Sequence, residues 1–180
     1  MIILIVGIPD SGKSLLAENI AEKLSGNSSK YYIATMVPFG EEGKKRVKKH
    51  QKMREGKGFI TLEWPDDISE RLSGSIDFSH SIILLECISN LVGNELYSEK
   101  NADASDEFLV EKIIDAMHEL SDLAENLIIV TNEFALEDEQ YDEATKRYVN
   151  LIATVNKSLM DLADVTHIHR NGEWTSNEVN

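Results

Sequence analysis

The feature that most constrains this chain is Gly7-Ile8-Pro9-Asp10-Ser11-Gly12-Lys13-Ser14, a G-x-x-x-x-G-K-S spacing. It follows the apolar run Ile2 to Val6 and precedes a stretch of helical periodicity from Lys13 to Leu24. That context gives the spacing its meaning, because such a loop curls around an anion only where a strand ends and a helix begins. The glycines let the backbone approach phosphate oxygens, successive N–H groups turn inward, and the helix N-terminus adds its positive dipole end. The spacing therefore predicts a nucleotide cradle made of Gly7, Ile8, Pro9, Asp10, Ser11, Gly12, Lys13 and Ser14. Lys13 would contact the terminal phosphates and Ser14 would ligate Mg²⁺.

Strand and helix signals alternate along the rest of the chain, which predicts an α/β fold of the P-loop NTPase kind, a mostly parallel sheet with helices on both faces. After the first strand, a helix over Lys13 to Leu24 presents Leu15, Leu16, Ile20, Ala21 and Leu24 as its apolar face. Tyr31 to Thr35 reads as a strand and Glu41 to about Arg54 as a polar, basic helix. Phe59 to Leu62 reads as a short strand, Pro65-Asp66-Asp67 as a helix start, and Ile82 to Leu85 and Leu127 to Thr131 as strands buried on both faces. Asp106 to Ala124 and Glu139 to Ala163 have helical spacing, Glu95 to Ala104 reads as a polar loop, and Val165 to Ile168 as the final strand. The ending Asn171 to Asn180 reads as a frayed polar tail.

At 180 residues the chain suits one domain, residues 1–180, with a single core. A formal net charge of -14 opposes binding to nucleic acid and to anionic membranes. No apolar run approaches the roughly 20 residues that span a bilayer, and the apolar start lacks a basic leader, so a cytoplasmic protein is expected. The only cysteine, Cys87, leaves no partner for an intrachain disulfide. His167 and His169 alternate along one strand face, but no third metal ligand accompanies them.

A phosphate cradle of this kind needs a carboxylate on its metal side. Glu86 ends the buried Ile82 to Leu85 run, and a parallel sheet brings strand ends to one edge, so Glu86 is the candidate, with capping of the next helix as its other reading. In this acidic chain Lys44, Lys45, Arg46, Lys48, Lys49, Lys52 and Arg54 gather in one short window. Arg46, His50 and Arg54 are spaced at i, i+4 and i+8, which on a helix stacks an imidazole between two guanidiniums. Such a column could hold a triphosphate and present a nucleophile. Imidazole titrates near pH 6.5, so His50 is expected largely neutral at pH 7 and able to attack an α-phosphorus with pyrophosphate leaving. Its other reading is one polar residue on a solvated helix.

Taken in order, the motifs resemble the bifunctional adenosylcobinamide kinase and adenosylcobinamide-phosphate guanylyltransferase family of cobalamin biosynthesis. The resemblance begins at Ser11-Gly12-Lys13-Ser14 and runs through Tyr32-Ile33-Ala34-Thr35, then Arg46-Val47-Lys48-Lys49-His50 and Arg54, then Thr61, Glu63 and Pro65. It continues with Leu84-Leu85-Glu86-Cys87, Asn94, Thr131-Asn132-Glu133, Val155-Asn156 and Leu162-Ala163-Asp164. The resemblance implies that His50 carries a covalent guanylyl group. It also implies that Gln51, Lys52, Met53 and Arg54 help hold GTP, and that Ile33, Ala34, Thr35, Glu63 and Glu86 lie at nucleotide-binding positions. The implied chemistry uses ATP or GTP with Mg²⁺ to phosphorylate a corrinoid, then GTP to guanylylate it, in a homo-oligomer, by resemblance a trimer. Read without the resemblance, the residues also accommodate a P-loop kinase for another small hydroxyl substrate, working without a covalent intermediate, or a nucleotide binder that has lost catalysis.

Overall fold

The structure, a computed structural model, describes residues 1–74 and 76–178. In chain order the elements are β1 (Ile2–Gly7), α1 (Lys13–Ser25), β2 (Ser29–Ala34), α2 (Gly40–Arg54), β3 (Phe59–Glu63), α3 (Ile68–Leu72) and β4 (Ser81–Glu86). There follow α4 (Ile88–Leu96), α5 (Asp106–Leu123), β5 (Asn126–Asn132), α6 (Glu143–Leu162), β6 (Val165–Arg170) and β7 (Glu173–Glu178). The strands form one sheet in the order β3-β2-β4-β5-β1-β6-β7. The first six are parallel and β7 is antiparallel to β6.

The central strands β1, β4 and β5 are apolar almost throughout because helices cover both of their faces. On one face Leu4, Val6, Leu85 and Ile129 pack against α4, α5 and α6, and on the other Ile3, Ile5, Leu84 and Val130 pack against α1. α1 meets the sheet through Ala17 and Ala21, while Leu15 and Leu24 of the expected apolar face are exposed. The buried stripe is rotated toward the small residues because they let the helix that carries the phosphate loop lie close to β1, β4 and β5.

Three further expectations are corrected. The stretch expected as a frayed tail instead forms β7, joined to β6 by Asn171-Gly172, both with positive φ (52° and 82°), the conformation a tight hairpin turn requires. All six residues of β7 are exposed, so no alternating apolar signal marks it; Val179 and Asn180 lie outside the described residues. The polar loop expected over Glu95 to Ala104 begins inside α4 and includes a short 3-10 turn, Glu99–Asn101. Glu95 there is 2 % exposed and is tied to Lys112 and Asn101, which is how a charged residue comes to be buried. α6 starts at Glu143 rather than Glu139 because the Asp142 side chain accepts from the Thr145 N–H and caps it. Among the described residues, no helix is long and apolar enough to cross a membrane.

Candidate functional site

Register places the site at the C-terminal edge of the sheet. Ala34 of β2 lies between Glu63 of β3 and Glu86 of β4, Glu86 lies beside Val130 of β5, and Gly7 of β1 lies beside Asn132. Gly7 to Ser14 turns over this edge into α1. Gly12 has φ 86°, a value that glycine adopts without strain, and a Cβ on Gly7 would sit 2.9 Å from both His169 Cβ and Ser11 Oγ. Asp10, also at positive φ, has its side chain 91 % exposed, 3.9 Å from Lys49. Lys13 is buried and its Nζ donates to the Ile8 carbonyl at 2.5 Å. Burial lowers the Lys13 pKa, with Cys87, Glu86 and Asp10 partly opposing that shift.

Glu86 is the centre of the arrangement. Its Oε1 accepts a hydrogen bond from the Ser14 hydroxyl and lies 3.6 Å from His50 Nδ1, while Oε2 accepts from the Tyr32 hydroxyl at 3.0 Å. Burial pushes the carboxyl up, but His50, Ser14 and Tyr32 outweigh it and hold the group below the usual carboxylate range. Burial, then the charge of Glu86, raises the Tyr32 phenol well above its ordinary value, so it stays a donor. His50 Nδ1 is buried and turned toward Glu86, which leaves Nε2 as the outward nitrogen of the ring.

α2 carries His50 on a helix with very little apolar surface. Its acidic first turn, Glu41 and Glu42, and basic last turn, Lys52 and Arg54, match the helix dipole. The buried residues are Gly43, whose Cβ would lie 3.1 Å from the Pro38 backbone, and Arg54. The Arg54 guanidinium lies 3.3 Å above the Tyr32 ring centroid, a cation–π contact worth about 0.5–2 kcal/mol. Its Nε and Nη1 are buried without hydrogen-bond partners among the described residues.

The expected Arg46, His50, Arg54 column divides: Arg46 is exposed, His50 faces Glu86 and Arg54 is buried on Tyr32. Gln51, Lys52 and Arg54, with Glu55, Phe59 and Thr61, line a groove of about 460 Å³; Met53 is half-buried. Glu63 is exposed at the sheet edge. Ile33 lies fully in the core with its backbone paired to both neighbouring strands, so its side chain is remote from the edge. Thr35 is buried too, its hydroxyl accepting from the Cys87 N–H at 2.7 Å and donating to the Cys87 carbonyl at 2.8 Å. It fixes the chain immediately after Glu86.

Two contributors appear in the sequence only as motif residues with no assigned role. Tyr32 looks like a strand aromatic, yet it links Arg54 to Glu86. Asn94 donates to the carbonyls of Thr35 and Pro65 at 2.8 and 2.7 Å, joining the segments that follow β2 and β3.

The family described as cobinamide kinase / cobinamide phosphate guanyltransferase matches residues 3–175. The chain belongs to this family. Membership makes it a nucleotide-using transferase whose family acts in cobalamin biosynthesis. No curated protein matches the chain. Among solved structures it is similar to the ATPase domain of G40P, with 11 % identity, TM-score 0.47, and coverage of 94 % of this chain and 69 % of that one. It is also similar to the flagellar accessory protein FlaH from Methanocaldococcus jannaschii, with 16 % identity, TM-score 0.49, and coverage of 97 % and 75 %.

Proposed function

We propose that the chain performs both reactions of its family on one corrinoid. A nucleoside triphosphate, ATP or GTP, held by Gly7 to Ser14 with Lys13 on its terminal phosphates, phosphorylates the aminopropanol hydroxyl of adenosylcobinamide. GTP then guanylylates His50: Nε2 attacks the α-phosphorus, an N–P bond forms, and the bond to pyrophosphate breaks. An oxygen of the corrinoid phosphate next attacks the same phosphorus, the N–P bond breaks, and adenosylcobinamide-GDP leaves with His50 restored.

The observation that carries this reading is the placement of one carboxylate, Glu86, between the Ser14 hydroxyl and the His50 ring. It links the nucleophile to the phosphate loop, which supports a reading in which the α-phosphorus of a triphosphate gripped by the loop would come within reach of α2. The groove beside Gln51 and Lys52 suits the rest of the nucleotide. The Ser14 hydroxyl and Glu86 carboxylate are hard oxygen donors side by side, a set suited to Mg²⁺, which would neutralise phosphate charge there.

The test is incubation with GTP labelled at the α-phosphate. Acid-labile label should appear on the intact protein and be absent from His50→Ala, which should still transfer the γ-phosphate to adenosylcobinamide. Phosphoryl transfer without label on the intact protein would establish instead a kinase with no covalent intermediate.

A further inference from the structure

A second concavity, of about 140 Å³, lies between α6 and the segment that follows β5. Phe134, Leu136, Val149, Ile152, Ala153 and Met160 make its walls, and Glu133, Asn156 and Lys157 add polar groups. Its place is fixed by the phosphate loop: the Glu133 N–H donates to the Gly7 carbonyl at 3.1 Å, and Asn132 is the register partner of Gly7. The groove beside Gln51 and Arg54 reaches Phe59 and Thr61 of β3, at the far edge of the sheet, whereas this cleft adjoins β5 and β1. The two concavities are therefore separate, as the sites of donor and acceptor must be, and the cleft is the one tied to the phosphate loop.

We infer that this cleft receives the acceptor, taking one arm at the edge of the cobinamide ring; the inference rests on the kinase half of the reading above. The walls suit methyl-bearing hydrocarbon; Lys157 offers a donor, and the Glu133 carboxylate, held by Arg170, an acceptor for a carboxamide arm. Its volume admits an arm and excludes the ring, which stays outside with the hydroxyl to be phosphorylated turned toward Gly7 to Ser14. The walls are held in place beforehand. Asn156 donates to the Asn132 carbonyl at 2.9 Å and accepts from the Thr131 hydroxyl at 2.7 Å. Phe134 packs on Tyr148, whose hydroxyl donates to the Ser89 carbonyl at 3.0 Å. A preformed pocket needs little ordering when the acceptor enters.

The experiment fills the cleft with Ala153→Phe and, separately, removes apolar wall with Leu136→Ser, a residue already 54 % exposed and so safe for folding. Cobinamide binding is read by equilibrium dialysis from its visible absorbance, and α-labelled GTP reports the histidine step in the same samples. The dissociation constant for cobinamide should rise on the order of tenfold or more in Ala153→Phe and about threefold in Leu136→Ser. Labelling of His50 should be unchanged in both. Wild-type affinity for cobinamide in folded Ala153→Phe, or in Leu136→Ser where Ala153→Phe does not fold, overturns the inference. So does a change in sedimentation with unchanged cobinamide affinity, which would make the cleft a contact between copies of the chain. A wild-type protein that labels with GTP yet neither binds nor phosphorylates cobinamide overturns the kinase half and this inference together, whereas binding that the variants leave untouched overturns this inference alone.

Discussion

Lys112→Met removes the cation at the centre of a buried ionic cluster behind the site. Lys112 Nζ donates to Asp67 Oδ1 at 2.5 Å and to Glu95 Oε2 at 2.6 Å, and those carboxylate side chains are 9 % and 3 % exposed. Deleting one partner of a buried pair costs about 3–5 kcal/mol, because the other charge stays buried without compensation. Here the loss is smaller. Lys100 still pairs with Asp67 at 2.5 Å, Asn101 still donates to Glu95 at 2.8 Å, and Lys112 is itself 23 % exposed. We expect about 2–3 kcal/mol once these remaining contacts and solvent screening are counted. Urea unfolding with an unchanged slope should show this as a fall in midpoint of about 1 M. Glu95→Gln in the same chain should recover part of it, since the double variant no longer buries that charge. A midpoint shift worth less than about 0.5 kcal/mol of stability would refute the reasoning, because it would mean that water already screens the cluster.

The same cluster gives a pH dependence. Hydrogen bonds from Lys100 and Lys112 hold the Asp67 carboxyl below its ordinary value. Its stabilisation is therefore complete above the unfolded value, near about 4, and is lost as pH falls through the lower folded value. Wild-type urea midpoints should fall more steeply below about pH 4 than those of Lys112→Met, and parallel curves would count against this. Gly7→Ala places a Cβ 2.9 Å from His169 Cβ and Ser11 Oγ, so something must shift. It should cost about 1–3 kcal/mol in thermal unfolding and weaken binding of inorganic tripolyphosphate; His169→Gly in the same chain should restore part of both.

The parts of the fold that could be read from sequence are those where local chemistry and burial agree. β1, the phosphate loop and α1 are legible because an apolar strand, a glycine turn and a helix start follow one another without a gap. Glu86 is legible as a strand-end carboxylate once β4 is recognised as buried on both faces. β7 is hidden because an edge strand exposed on both faces needs no apolar residue. The Arg46, His50, Arg54 column misleads for a geometric reason: each step of four residues in a helix turns it about 40° past a full turn, so positions eight apart diverge by about 80°. That drift lets Arg54 stack on Tyr32 while Arg46 stays in solvent. The links through Tyr32 and Asn94 join residues 54 and 59 positions apart in the chain, and no local pattern announces such partners.

The strand order also dictates a timetable. β1 is made first, but its two neighbours are β5 and β6, which begin at residues 126 and 165. On a ribosome that releases the chain from its N-terminus, β2, β3 and β4 can pair among themselves while Ile2 to Gly7 still has no strand to join. The glycine loop therefore takes its shape late, after a closure spanning more than a hundred residues, and that long-range pairing is slow. The most recognisable segment of the sequence is among the last pieces of the molecule to reach its working form.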